Sequence, residues 1–320
     1  MSSRVDRYRI LCTEESSIPL FSQAWWLDAA AGEGNWDVVL VEKDGLIIAS
    51  LPYVEKKRYG FTVLTQPALT QTLGPWLKLD SELKSSKRLA YEKDVIQNLY
   101  AQLPRYDHYS QSWHYSRKNW LPVYWLGFSQ TTNYTYVIDD ISDIDTVLRN
   151  FENSKRKNIR KSEKIVKIVH DISARDFYEN HKMTLRKQGQ EILYSFELFD
   201  RLYQAGYENN SAKTIAAFDD DGNLHAALFV VWDKHSAYDL ISTIDPDFRV
   251  HGAASLLIRD VISYVSKFVN KFDFEGSMIE SVERSFRQFG AEQVPYFSIE
   301  KTPSHILKSL LFLRSMKGGK

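Results

Sequence analysis

The chain has 320 residues, enough for roughly two average domains that fold without disulfide or metal support. Its 43% hydrophobic and 26% charged residues are typical of a globular protein and exclude a disordered, collagen-like or coiled-coil chain. Lys+Arg and Asp+Glu number 41 each, so the net charge is zero and any basic binding site must be local.

The cysteine content and the hydropathy pattern favour a reducing compartment. Cys12 is the only cysteine, so an intramolecular disulfide, a four-cysteine zinc site and a CxxC redox pair are all excluded. The first residues lack the apolar run of a signal peptide, and the segment from Ile306 to Leu313 is interrupted by Lys308 and too short to span a bilayer. We therefore expect a cytoplasmic monomer without a transmembrane segment or a metal.

Two β-hairpins are predicted, one in each half of the chain. In the first, β-rich runs at Val38–Val41 and Leu46–Val54 flank Asp44-Gly45, and Asp-Gly supplies the positive φ that a tight hairpin turn requires. The second hairpin repeats this pattern around Gly222, with strands predicted at Ile215–Phe218 and Leu224–Trp232.

The same order of elements follows each hairpin: a strand, an irregular loop, a helix and a final strand. The predicted ranges are Phe61–Thr65, a helix from Ser81 to Leu103 and a strand at Asp107–Ser112 in the first copy, and Ala237–Thr243, Ala253–Val269 and Lys271–Phe274 in the second. This order predicts an α/β fold with a mixed sheet, duplicated in tandem, with domains at residues 1–140 and 141–320.

A basic segment, Ser154–Lys167, lies between the two copies and is predicted to be helical because it lacks Gly and Pro. Its seven basic residues are opposed only by Glu163. The segment is either a solvated linker helix or an electropositive shelf for a phosphorylated ligand. In the second case Lys157 and Arg160 are the candidate substrate-binding residues.

Tryptophan is concentrated in the first half, where seven of the eight residues precede position 126. Core packing accounts for most of them. Trp76, in a Gly-Pro-Trp loop, and Trp113, after a predicted strand, lie where an α/β unit opens its ligand crevice. Both are candidates for an aromatic wall that stacks on a sugar or peptide.

Several common catalytic motifs are absent from the sequence. It contains no GxxxxGK[ST] phosphate loop, no GxSxG nucleophile elbow and no HExxH zinc pair. Gly32 and Gly34 lack the third glycine and the preceding strand of a dinucleotide-binding loop. Metal-dependent chemistry, nucleotide hydrolysis and serine hydrolysis are therefore disfavoured.

A candidate donor-binding loop connects a predicted strand to a predicted helix. Its residues are Arg249, Val250, His251, Gly252, Ala253 and Ala254, with the form R-x-x-G-x-A. The glycine allows a sharp turn, and the small alanines let a diphosphate approach the N–H groups and positive dipole of the helix start. The pattern resembles the pyrophosphate-binding loop of the GNAT acyltransferases, and the later run Phe286–Glu292 resembles the Y-x-x-x-G-F-E ending of that superfamily.

The C-terminal half further resembles the Fem-type, or methicillin-resistance-factor, family. The similarity lies in the basic segment, in R-K-Q-G-Q at Arg186–Gln190 and in F-D-F-E-G-S at Phe272–Ser277. The resemblance implies paired GNAT domains, a first half that binds substrate, and transfer of an acyl group to an amine of an amino sugar or peptide in cell-envelope or polysaccharide biosynthesis. Acyl-CoA, most simply acetyl-CoA, is the implied donor, and aminoacyl-tRNA is the alternative.

One residue departs from the GNAT pattern. Many GNAT enzymes have a tyrosine at the position of Phe286 that protonates the leaving thiolate, and phenylalanine has no such proton. The alternative to an enzyme is thus a degenerate GNAT pair that only binds a ligand or partner. For an enzyme, Glu275 and Asp239, near the ends of predicted strands, are the candidate bases for the acceptor amine, although either carboxylate can instead have a structural role.

Overall fold

A computed structural model describes residues 3–79, 82–276 and 278–318. The α-helices are α1 (Arg4–Glu14), α2 (Ala24–Ala31), α3 (Ser85–Ala101), α4 (Leu121–Tyr124), α5 (Ile144–Asn150), α6 (Asn153–Ser162), α7 (Ala174–Lys187), α8 (Phe196–Glu208), α9 (Ala253–Val265), α10 (Glu280–Arg287) and α11 (His305–Gly318). The strands are β1 (Asp37–Lys43), β2 (Leu46–Arg58), β3 (Phe61–Thr65), β4 (Trp76–Leu77), β5 (His108–Ser112), β6 (Ser129–Ile138), β7 (Val166–His170), β8 (Ala212–Asp219), β9 (Leu224–Trp232), β10 (Ser236–Ile244), β11 (Lys271–Asp273) and β12 (Glu292–Lys301). Short 3₁₀ helices occupy Leu20–Ser22 and Pro246–His251.

The chain forms two compact units. The first comprises the residues up to Asn133 together with those from Pro295 onward, and the second is the continuous stretch Tyr134–Val294. The sequence placed a single boundary between residues 140 and 141. The last part of the chain belongs with the first unit because Ser298–Lys301 of β12 pair antiparallel with β5.

The sheet of the first unit begins with the predicted hairpin. Strands β1 and β2 are antiparallel, with Lys43 opposite Leu46, and the turn between them has positive φ at both Asp44 (53°) and Gly45 (79°). Strand β3 then pairs antiparallel with β2, and β5 pairs parallel with β3. Along β1, β2, β3 and β5, the first unit therefore has two antiparallel strand pairs followed by one parallel pair.

The second unit repeats this succession. Strands β8 and β9 are antiparallel and are joined by the predicted turn at Gly222. Strand β10 then pairs antiparallel with β9, and β11 pairs parallel with β10. Strand β7 extends the sheet beside β8, and β6 lies antiparallel to β11. The mixed α/β fold and the duplicated order of elements are confirmed, and Gly45 and Gly222 occupy the equivalent hairpin turns.

The basic segment is only partly helical, so the prediction of one helix over Ser154–Lys167 is wrong. Helix α6 ends at Ser162, and β7 begins at Val166. The β-branched residues Ile165, Val166 and Ile168 favour a strand and pack against the core of the second unit, which outweighs the absence of helix breakers. In the first unit, the predicted helix start at Ser81 lies outside the described residues, and α3 begins at Ser85.

Helix α9 is anchored in the core of the second unit. Its buried side chains include Leu256, Leu257, Val261 and Val265, each no more than 2% exposed. Burial of a side chain of this size stabilises a fold by about 1.5–3 kcal/mol. The amino end of α9, where the predicted donor loop lies, is therefore held in a fixed position. Among the described residues, no helix has both the length and the apolar character needed to cross a membrane.

Candidate functional site

The predicted donor loop leads from β10 into α9. Asp245 accepts the backbone N–H of Asp247 and caps the 3₁₀ helix Pro246–His251, and Lys187 Nζ lies 2.7 Å from the same carboxylate. Gly252 then takes a left-handed conformation (φ 79°), and α9 begins at the next residue. A Cβ atom at Gly252 would lie 2.7 Å from the Cβ of Asn158 in α6, so both the turn and the packing require glycine here.

The start of α9 is suited to an anion. The helix has 13 residues, and Gly252 before it has no side chain to cap its first N–H groups. The N–H of Ser255 donates to the Gly252 carbonyl oxygen, which leaves the N–H groups of Ala253 and Ala254 and the positive dipole end for a ligand. Lys161 of α6 donates to the carbonyl oxygen of Val250 at 2.8 Å and ties the loop to the basic helix. This geometry fits the pyrophosphate of a CoA-type donor.

A cavity of about 470 Å³ borders this loop, and we call it the donor cavity. Arg249, Gly252 and Ala254 line it. The other predicted donor-loop residues lie elsewhere: Val250 is 71% exposed, Ala253 belongs to the core, and the ring of His251 packs 5.0 Å from that of His225. The structure therefore brings half of the predicted donor-loop residues to one cavity.

Asp239 lies on the wall of the donor cavity, at the point where two parallel strands separate. The pairing of β10 with β11 ends at Tyr238 opposite Asp273, and β10 has an irregularity in its pairing with β9 immediately after Asp239. Asp239 Oδ2 accepts a hydrogen bond from Ser242 Oγ at 2.7 Å. Its Oδ1 is buried and has no hydrogen-bond partner among the described residues. A buried carboxylate oxygen in a cavity wall is available to a ligand donor.

Glu275 and Asp273 form a buried carboxylate group together with Asp239. All three are at most 9% exposed. Asp273 accepts hydrogen bonds from the hydroxyl of Thr135 and from the backbone N–H of Glu275. Glu275 has a left-handed backbone (φ 62°) and is followed by Gly276 (φ 67°), so the chain turns sharply after β11. Ser277, the end of the F-D-F-E-G-S run, lies outside the described residues.

The electrostatics of the group separate the roles of the two candidate bases. Burial raises the pKa of Asp239 to about 6 and that of Asp273 also to about 6. Hydrogen bonds to each carboxylate oppose the shift. Burial also raises the pKa of Glu275 well above its usual range, and the charges of Asp273 and Asp239 add to that effect. Asp239 is therefore largely ionised at neutral pH, whereas Glu275 keeps its proton to a higher pH than an ordinary glutamate does. Of the two predicted bases, Asp239 lines the donor cavity.

Lys155 is a residue of the donor cavity that the sequence did not single out from the basic run. It is 8% exposed, its Nζ donates to Ser285 Oγ at 2.7 Å, and it lies 4.2 Å from the centre of the Phe289 ring. Burial lowers its pKa to about 8. Phe286 also lines the cavity, where its ring stacks 4.9 Å from that of Phe274.

His181 is a second residue of the donor cavity that the sequence did not indicate. Burial lowers its pKa to about 4, so the imidazole is neutral at physiological pH. Its Nδ1 has no hydrogen-bond partner within the described part of the chain. No motif surrounds His181, and only the packing of α7 beside β10 reveals its position.

The predicted substrate-binding residues are not gathered in the donor cavity. Lys157 and Arg160 lie on the exposed side of α6. Trp76 is 4% exposed, donates to Ser17 Oγ at 2.9 Å and lines a cavity of the first unit. Trp113 is fully buried; its Nε1 donates to the Tyr100 hydroxyl at 3.1 Å, and its ring fills the space beside Gly74. Trp113 therefore packs in the core and supports the Gly74 turn.

A metal ion has no evident place in the described structure. Within residues 3–79, 82–276 and 278–318, no group of three or more His, Cys, Asp or Glu side chains is arranged to hold one.

Comparison with known proteins supports the tandem arrangement. Residues 139–276 match the family described as acetyltransferase (GNAT) domain. No curated protein sequence matches the chain. The crystal structure of FemX has a TM-score of 0.71 at 12% identity, with 97% of this chain and 98% of that chain covered.

Two further structures share the fold. The C-terminal domain of a putative lysylphosphatidylglycerol synthetase from Agrobacterium fabrum has a TM-score of 0.54 at 10% identity, covering 96% of this chain and 94% of that chain. A tandem GNAT protein from the clavulanic acid biosynthesis pathway has a TM-score of 0.51 at 9% identity, covering 93% of this chain and 94% of that chain. The chain therefore contains a domain of the acetyltransferase (GNAT) type at residues 139–276, and its fold is similar to those of FemX and of a tandem GNAT protein.

Proposed function

We propose that the protein transfers an acyl group from acyl-CoA to an amine of an amino sugar or peptide used in cell-envelope or polysaccharide biosynthesis. The observation that carries this proposal is the unpartnered, buried Oδ1 atom of Asp239 in a cavity that is also walled by the donor loop. An acceptor ammonium or amine is the natural partner for such an oxygen, because an N–H donor satisfies a buried carboxylate.

Donor binding is assigned to the amino end of α9. The N–H groups after Gly252 would hold the pyrophosphate, and Arg249, on the cavity wall, would add positive charge. The thioester would then extend into the donor cavity, whose volume of about 470 Å³ lies within the usual range for ligand sites.

The reaction needs one base and one acid. Asp239 accepts the proton that the acceptor nitrogen loses as it forms its bond to the thioester carbonyl carbon. The tetrahedral intermediate then collapses, the carbon–sulfur bond breaks, and the sulfur leaves as a thiolate that must be protonated. With a pKa of about 6, Asp239 is ionised and able to accept a proton at pH 7.

Lys155 replaces the missing tyrosine as the acid in this proposal. Phe286 has no hydroxyl, whereas Lys155 lines the same cavity and has Ser285 within hydrogen-bond distance. A lysine with a pKa of about 8 is charged at pH 7 and close enough to neutrality to give up its proton to the thiolate. Solvent then restores the proton.

A second candidate donor is aminoacyl-tRNA. Lys157, Arg160 and Lys164 are exposed beside the donor loop and present positive charge to solvent. FemX and a putative lysylphosphatidylglycerol synthetase share the fold, which keeps aminoacyl transfer in the cell envelope within the proposal. Binding of tRNA releases many counterions and weakens steeply with salt, whereas a CoA pocket depends on salt far less.

Calorimetry with acetyl-CoA tests the donor assignment. We expect saturable binding of acetyl-CoA, with an affinity that changes little between about 50 and 200 mM salt. The Ala254→Glu variant places bulk and negative charge beside the α9 amino end and should lose binding, and Ala254→Ser, which adds only a small hydroxyl, serves as the matched control. Unchanged acetyl-CoA binding in Ala254→Glu would contradict the assignment, and binding of tRNA alone, lost at high salt, would favour the second donor.

A further inference from the structure

Two adjoining cavities lie in the first unit. One, of about 290 Å³, is lined by Trp76 and is called the Trp76 cavity. The other, of about 500 Å³, is lined by Trp120 and is called the Trp120 cavity. They share Leu79, Ser116 and Arg117, so they form one continuous cleft with Arg117 at its junction.

The cleft lies in the first unit where the buried carboxylates lie in the second. The Trp76 cavity is lined by the segment that follows β3 and by the segment that follows β5, the parallel pair of the first unit. Parallel strands that separate open a ligand crevice at that point. In the second unit, Asp239 and Glu275 follow the last paired residues of β10 and β11.

Arg117 has an acidic neighbour, Glu92, in this cleft, but its guanidinium has no direct partner among the described residues. Its backbone N–H donates to the His114 carbonyl and fixes the turn, but in the described structure no hydrogen bond or ion pair engages its guanidinium. The nearby acid, Glu92, instead accepts a hydrogen bond from Asn119 Nδ2 at 2.9 Å. Burial lowers the pKa of Arg117 and the charge of Glu92 opposes this shift, yet a guanidinium stays protonated.

Basic side chains outnumber acidic ones among the described lining residues of the Trp120 cavity. Arg88, Arg117 and Lys118 are the basic residues there, and Glu92 is the acid. A half-buried guanidinium without an acceptor has lost hydration that nothing replaces, and an anionic ligand would restore those hydrogen bonds. The planar fork of Arg matches the paired oxygens of a carboxylate or a phosphate.

We propose that Arg117 binds a phosphate or carboxylate group of the acceptor in the cleft formed by the Trp76 and Trp120 cavities. The identity of this ligand as the acceptor rests on the proposed acyl transfer, whereas the anion site itself rests on the cleft and its unpaired guanidinium. Trp76 lines one of the two cavities and Trp120 lines the other, so the remainder of the molecule can contact an aromatic ring in each. The first unit thereby selects acceptors that carry an anionic group.

Calorimetry with small anions tests the site. The full chain carrying Ala254→Glu, which closes the other anion-binding position, is titrated with inorganic phosphate and separately with succinate. We expect saturable binding of at least one probe and a loss of about tenfold or more in its affinity in Arg117→Gln. Arg58→Gln, which removes an exposed cation of the first unit outside the cleft, is the matched control and should change affinity by less than about threefold.

The results show which of the two anions the site prefers and whether Arg117 binds the anion or only stabilises the fold. Stronger binding of phosphate points to a phosphorylated acceptor, and stronger binding of succinate points to a carboxylate-bearing one. Arg117→Lys keeps the charge and loses the fork, so weaker binding in this variant at an unchanged melting temperature supports the site without a folding defect. Equal affinity in the parent and both Arg117 variants, or no saturable binding of either probe, would overturn the proposal. Failure of the unblocked chain to bind acetyl-CoA would instead remove the donor assignment and leave the Arg117 result intact.

Discussion

Replacing Asp239 by Asn should abolish catalysis and stabilise the protein at the same time. Asparagine keeps the shape of the side chain and can still accept the hydrogen bond from Ser242. It cannot accept the proton of the acceptor amine. We expect kcat to fall by about 10²- to 10⁴-fold, the usual contribution of a general base, with acetyl-CoA affinity unchanged.

The stability gain follows from the raised pKa of Asp239. A carboxyl with a pKa of about 6 in the folded chain and about 4 in the unfolded chain holds its proton more tightly when folded. The folded state is thus favoured below about pH 4, and this advantage is lost as the pH rises through 6. Two pKa units at about 1.4 kcal/mol each make ionised Asp239 a cost of about 3 kcal/mol at neutral pH.

Urea unfolding at two pH values measures this gain. Asp239→Asn should be more stable than the parent by about 1–3 kcal/mol at pH 7.5, after the cost of burying the amide, and by about 1 kcal/mol or less at pH 4.5. Asp273→Asn is the matched control, because Asp273 has a similarly raised pKa but does not line the donor cavity. It should shift stability in the same direction and retain most of kcat. An Asp239→Asn variant with the parental kcat and no pH-dependent gain in stability would refute both the role of Asp239 as the base and the raised pKa of its carboxyl.

Three other variants separate the remaining roles. Glu275→Gln changes a carboxyl that does not line the donor cavity, so kcat should stay within about tenfold of the parent; a loss as large as that in Asp239→Asn would make Glu275 the base instead. Lys155→Met should lower kcat and remove the decline in activity expected above about pH 8, where the lysine loses its proton, and a pH profile identical to that of the parent would exclude it as the acid. Charge reversal at Lys157 and Arg160 should raise the KM of a phosphorylated acceptor or a tRNA donor with little change in melting temperature, whereas unfolding with an unchanged KM would make the exposed face of α6 structural.

Local patterns predicted the hairpins and the turn at Gly252 well. Asp44-Gly45 and Gly222 lie between runs of β-forming residues, and positive φ is a property of single residues that the sequence displays directly. Gly252 is similar, since its left-handed turn and the following small residues are contiguous. Such features depend on neighbours along the chain, so they are visible without the fold.

The composition of the site depended on contacts between distant segments. The approach of Asp239 to Asp273 requires the parallel pairing of β10 and β11, which the order of elements suggested and only the structure places in register. Burial of Lys155 is a property of one face of α6 against α10 and the core, and its basic neighbours conceal it in the sequence. Strand β7 was missed for a related reason, because basic residues interrupt its β-branched ones.

The return of β12 to the first unit affects the order in which the chain folds during synthesis. The second unit is contiguous, so all of its strands have left the ribosome once Val294 has emerged. The edge of β5 that does not pair with β3 lacks its partner until Ser298–Lys301 are made, although β5 itself ends at Ser112. At roughly 5–20 residues per second the edge of β5 waits on the order of ten seconds or more for that partner. During this interval β5 is an unpaired strand edge on a nascent protein, and chaperone binding or aggregation of incomplete chains should concentrate there.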